Sequence, residues 1–78
     1  MRKIKMIWEF RGPEALKTAE HHIIHLKEYV LAKDLKVGFT GIDEINTQHI
    51  RAYLVTNESD MQMVRTELKP HIGQLYEE

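Results

Sequence analysis

Three of the five histidines in this 78-residue chain lie in one short run, Glu20-His21-His22-Ile23-Ile24-His25-Leu26. On a helix, His22 and His25 are three residues apart and His21 and His25 four apart, so each pair projects side by side from neighbouring turns. Neutral imidazoles so placed can chelate a metal, and a single one can act as general base because its ordinary pKa of about 6.5 lies near working pH. His22, His25 and, from the C-terminal part of the chain, His71 are therefore candidate metal ligands. Such a set suits a divalent transition metal, with an open position for water or substrate. A metal-free version makes His22 or His25 a base beside a pocket lined by Trp8, Tyr29 or Tyr76. The plainer account is a set of boundary and surface histidines at a common helical spacing, and no H-E-x-x-H motif accompanies them.

The helix that carries the cluster is expected from about Pro13 to Lys33. Gly12-Pro13 opens it, because proline's fixed φ suits the first helical position. At about 100° per residue, Leu16, Ala19, Ile23, Leu26 and Val30 form the stripe that would lie on a sheet. Thr18, His22, His25 and Tyr29 run along one edge of that stripe, and His21 falls further round, towards solvent. His22 is thus nearest the core boundary and His25 farther out. Lys17, Glu20, Lys27 and Glu28 read as a solvated face.

Strand-like alternation surrounds this helix. Ile4, Met6, Trp8 and Phe10 share one face of a first strand. Lys36 to Ile42 reads as a second, in which Gly38 and Gly41 allow a bulge or a close neighbour, and Asp43 to Gln48 carries turn-type residues. Ile50 to Val55 reads as a third strand paired with the second as a hairpin. Ser59-Asp60-Met61-Gln62 fits a capping box for a second helix over about Asp60 to Lys69, with Met61, Val64 and Leu68 inward and Pro70 ending it. Ile72 to Tyr76 is a last strand. The order β-α-β-β-α-β predicts an α+β, ferredoxin-like fold, a four-stranded antiparallel sheet with two helices on one face, as one domain over residues 1–78.

Composition limits the function classes. The chain is 42% hydrophobic and 29% charged, which is globular rather than disordered. It has no cysteine, which removes disulfides and thiolate chemistry. Eleven basic and twelve acidic residues are scattered along it, which argues against nucleic acid as a partner. Lys3, Lys5, Lys36 and Arg51 lack the aromatic signature of sheet-face RNA binders, and Arg11 beside Gly12-Pro13 is a weak anion site. The apolar stretch at the start is too short to span a membrane, so a cytoplasmic location is expected.

A core this small usually needs reinforcement, and oligomerisation is the route left without disulfides. The sheet face away from the helices carries Lys3, Lys5, Ile7, Glu9, Arg51, Tyr53 and Val55, of which Ile7, Tyr53 and Val55 form a patch that a second sheet would cover.

With Met6-Ile7-Trp8-Glu9-Phe10 opening this element order at this length, the chain resembles the dimeric α+β barrel superfamily, in particular its small uncharacterised bacterial members. The resemblance implies a dimer and a pocket without choosing a reaction. The expected protein is a homodimer that binds a small ligand or a metal ion around His22, His25, Tyr29, Trp8 and His71. The alternatives are a structural or interaction module that presents the sheet face, and a metal-free enzyme with a histidine base. The two histidines His22 and His71 come out level in this topology, counting about 1.5 Å per residue back from Lys33 and forward from Asp60. Which side of the first helix faces the second is left open.

Overall fold

The computed structural model describes residues 2–77. Its elements are β1 (Lys3–Arg11), α1 (Ala15–Ala32), β2 (Gly38–Asn46), β3 (His49–Asn57), α2 (Glu58–Leu68) and β4 (Ile72–Tyr76). The four strands form one antiparallel sheet in the order β2-β3-β1-β4, the ferredoxin-like topology. β1 pairs with β3 along its whole length, from Lys3 opposite Asn57 to Arg11 opposite His49. With β4 it pairs only from Lys3 opposite Tyr76 to Ile7 opposite Ile72.

The alternation in β1 sends Ile4, Met6 and Trp8 into a core with Leu54, Leu26 of α1 and Val64 of α2. A second cluster, Ala15, Ala19, Ile50 and Ala52, uses small residues where the first half of α1 lies on β3. Gly38 serves the same purpose at the other end of α1, since a Cβ there would stand 2.7 Å from Val30 Cγ1.

Element centres match expectation, as do β4 and the C-terminal ends of both helices, while the end of β2 and the start of α2 differ. β2 continues to Asn46, four residues beyond Ile42, so the turn narrows to Thr47-Gln48, with a register shift between Glu44 and Asn46. The expected capping box is absent among the described residues. The backbone N–H of Glu58 donates to Arg2 O, α2 begins there, and Ser59 already lies inside the helix, past the position from which it could cap.

The sheet face away from the helices differs most from expectation. Ile7 and Val55 are 1% and 0% exposed, already buried within the single chain. Their cover comes from the same face. Phe39 on β2 and Tyr76 on β4 meet edge-on with ring centroids 5.5 Å apart, although two strands separate them. Lys5 Nζ lies 4.3 Å from the Tyr53 ring centroid and donates to Asp43 Oδ2 at 3.0 Å. The Tyr53 ring lies across Gly41, where any side chain would strike it. Glu9 Oε1 accepts from Arg51 Nε and His49 Nε2, both at 3.0 Å, and these two bonds hold the Glu9 carboxyl below its usual range.

Candidate functional site

His22 comes from the middle of α1, between the buried Ala19 and Leu26, so its ring is drawn half into the core. It packs on Trp8 and Phe10, with ring centroids 4.9 and 5.5 Å away. Burial lowers its pKa below the ordinary value, and the nearby His25, His71 and His21 lower it further. His22 is therefore a neutral imidazole at neutral pH, and its buried Nε2 has no hydrogen-bond partner among the described residues. Trp8 is 4% exposed and fixed beneath it, with Nε1 donating to Leu68 O at 2.9 Å.

His71 stands immediately before the start of β4. Its backbone N–H donates to Ile7 O, and its Nδ1 accepts from the backbone N–H of Glu9 at 2.8 Å. β4 pairs with β1 no further than Ile7, and the imidazole supplies the acceptor that a longer strand would have supplied. An Nδ1 that accepts a hydrogen bond carries no proton, so the ring's proton is on Nε2, which is left as a donor.

His21 and His25 are exposed and belong to each other. Their Nε2 atoms are 3.0 Å apart, and the rings meet edge-on at 4.6 Å. One Nε2 must donate and the other accept, so the pair holds a single proton on that line. His25 Nδ1 lies 3.3 Å from Glu28 Oε1. Among the described residues, no group of three His, Cys, Asp or Glu side chains is arranged to hold a metal ion.

Tyr29 settles the orientation of α1. Its hydroxyl donates to Glu67 Oε1 at 2.8 Å, and Lys33 Nζ lies 3.3 Å from Glu67 Oε2, so the edge that bears His22 and Tyr29 faces α2. Burial, followed by the bond to Glu67, pushes the Tyr29 hydroxyl up to about 12. Glu67 is held low by the same bond and by Lys33. Tyr29 is a brace between the helices. Of the five expected ligand-binding residues, Trp8, His22 and His71 gather at one end of the helix layer, while His25 and Tyr29 are engaged elsewhere.

An open cavity of about 340 Å³ lies between α2 and the β1–β4 pair. Ile4, Met6 and Met61 line it together with Leu75, Arg65 and the His71 ring. Arg65 forms no ion pair among the described residues. A second hollow, of about 470 Å³, lies between the Lys33–Lys36 segment and the start of α2, lined mostly by charged and polar residues. No known protein family, curated protein or solved structure matches the chain.

Sequence reasoning reached His71 but not its neighbours in the cavity. Arg65 follows Val64 on α2, and neither its type nor its spacing sets it apart from other helix cations. Met61 was placed in the core and is in fact only partly buried against it, on the cavity wall. No helix among the described residues is long and apolar enough to cross a membrane.

Proposed function

We propose that the chain binds a small, partly apolar molecule bearing an anionic group, held in the cavity between α2 and the β1–β4 pair. One observation carries this reading: the cavity joins an apolar wall of Ile4, Met6, Met61 and Leu75 to Arg65, which forms no ion pair among the described residues, and to His71, whose tautomer the Glu9 N–H fixes. Small ligands bind in concave sites where apolar walls meet a few convergent polar groups. The apolar wall supports affinity at about 25 cal/mol per Å² buried, and the guanidinium selects for a carboxylate.

His22 and Trp8 back this arrangement as a neutral, aromatic layer behind His71. With His22 neutral behind the cavity, Arg65 supplies the guanidinium of its lining, which favours a singly charged ligand over a polyanion.

The test is a fragment screen by NMR that follows the methyl signals of Met6 and Met61, with small carboxylates and their matched amides. Carboxylates should shift both methyls, and Arg65→Gln should weaken them by about tenfold or more while leaving the amides unchanged, since a hydrogen bond to a charged group contributes about 1.5–3 kcal/mol. If no fragment perturbs the two methyls, or if Arg65→Gln leaves carboxylate affinity intact, the reading fails.

A further inference from the structure

The flank of α1 turned away from α2 is more apolar than a solvated face should be. Leu16, Ile24 and Leu31 are 42%, 56% and 81% exposed. At about 100° per residue these three, with Glu20 and Lys27 between them, fall within about 80° of the helix circumference, on the flank next to Ile23 and opposite the Tyr29 edge that faces α2; Leu16, expected in the sheet-facing stripe, lies at its margin and is exposed. The stripe is about 22 Å long at about 1.5 Å per residue. Neither Glu20 nor Lys27 has an ion-pair partner among the described residues.

The stripe has a symmetry of its own. Leu16 and Leu31 stand equally far from a midpoint between Ile23 and Ile24, and so do Glu20 and Lys27. An antiparallel two-fold pairing about that midpoint would set Leu16 against the second copy's Leu31 and Glu20 against its Lys27, with the two Ile24 side chains at the centre. Two-fold interfaces require one patch to complement itself in this way. The sheet face offers less: Ile7 and Val55 are already covered within the chain, and its charges Lys5, Asp43, Glu9 and Arg51 are paired with one another.

From this we infer that the flank of α1 turned away from α2 is a docking surface for a second copy of this chain, antiparallel and centred between Ile23 and Ile24. One helix from each copy makes a small interface, so association falls in the weak, concentration-dependent class. The cavity beside α2 lies outside this surface and remains open in the dimer.

Sedimentation equilibrium from micromolar to near-millimolar protein tests the inference. Wild type should show a monomer–dimer equilibrium, and Ile24→Glu with Leu31→Glu should abolish it. Glu20→Lys alone and Lys27→Glu alone should each raise the dissociation constant about tenfold or more, because each places two like-charge pairs across the two-fold axis. A mixture of those two single variants should recover dimer, since every pair across the axis is then opposite in charge. All four positions are exposed, and far-UV circular dichroism checks that each variant is folded. A strictly monomeric wild type overturns the inference. So does a dimer that ignores both charge variants and is broken by Tyr53→Glu, which would place the contact on the sheet face.

Discussion

His22 is the residue at which sequence and environment pull apart. Its type and spacing advertise chemistry, yet the fold half-buries its ring on Trp8 and Phe10 and leaves Nε2 without a partner. The energetic sign follows from its pKa, which is lowered below 6.5 in the folded chain chiefly by burial. Between that lowered value and about 6.5 the unfolded chain binds a proton that the folded chain refuses, so stability falls as pH drops through this window. Glu9 and Glu67, also lowered, act in a different range, losing their contribution only as pH falls below about 4.5. His22→Leu should therefore lie within about 1 kcal/mol of wild type at pH 7.5 and gain on it as pH falls below about 6.5 in urea denaturation. Parallel stability curves across that range would show that His22 is not the group responsible. The order of exposure, His22 innermost and His21 and His25 outside, was legible from the helical wheel. That His25 pairs with His21 and Glu28 was not, because spacing allows several partners and ring orientation chooses among them.

At the scale of elements, apolar period located every helix and strand, while the ends were decided by bonds between segments distant in sequence. β2 runs through residues of turn type because Asp43 and Glu44 find partners opposite Arg51 and Ile50, and the Asp43 carboxylate accepts from Lys5. α1 ends in a Schellman motif: Leu35 N–H donates to Val30 O and Asp34 N–H to Leu31 O, with Asp34 in the left-handed region at φ 53°. α2 likewise ends with Lys69 left-handed at φ 47°. Glycine usually occupies such positions; here the ends were legible to within a residue from the end of the apolar period and from Pro70, while the left-handed conformation of Asp34 and Lys69 was not. A left-handed non-glycine residue costs about 1 kcal/mol. Lys69→Gly should therefore stabilise the fold by up to about 1 kcal/mol, raising the melting temperature by roughly 4–8 °C in a domain of this size, whereas Lys69→Ala should give no gain. Equal melting temperatures for the glycine and alanine variants would remove backbone strain as the explanation.

At the scale of the whole molecule, a single sheet with helices on one side must still dispose of its other side. Composition suggested that a partner sheet does this, since Ile7, Tyr53 and Val55 read as an exposed patch. Strand alternation assigns residues to faces correctly but says nothing about how far a long side chain reaches across them. Here the reach matters: Phe39 and Tyr76 stand on opposite edge strands and still touch, and Lys5 and Tyr53 fill the space beside them. The candidate cavity was equally illegible, because it arises where α2 stands off from the short β4, a matter of tertiary distance. If the aromatic pair is the roof over Val55, cutting both rings back should open the face without breaking the helix layer. Phe39→Ala with Tyr76→Ala should cost about 1–3 kcal/mol, less than two fully buried aromatics would, because Phe39 is 42% exposed and Tyr76 only partly buried. The same variant should bind the dye ANS while keeping its far-UV circular dichroism, and the backbone amides of β1 and β3 should exchange faster, as Ile7 and Val55 lose their cover. Unchanged dye binding and unchanged exchange would mean that Lys5 and Tyr53 suffice to seal the face, and that the aromatic contact between the edges is incidental to it.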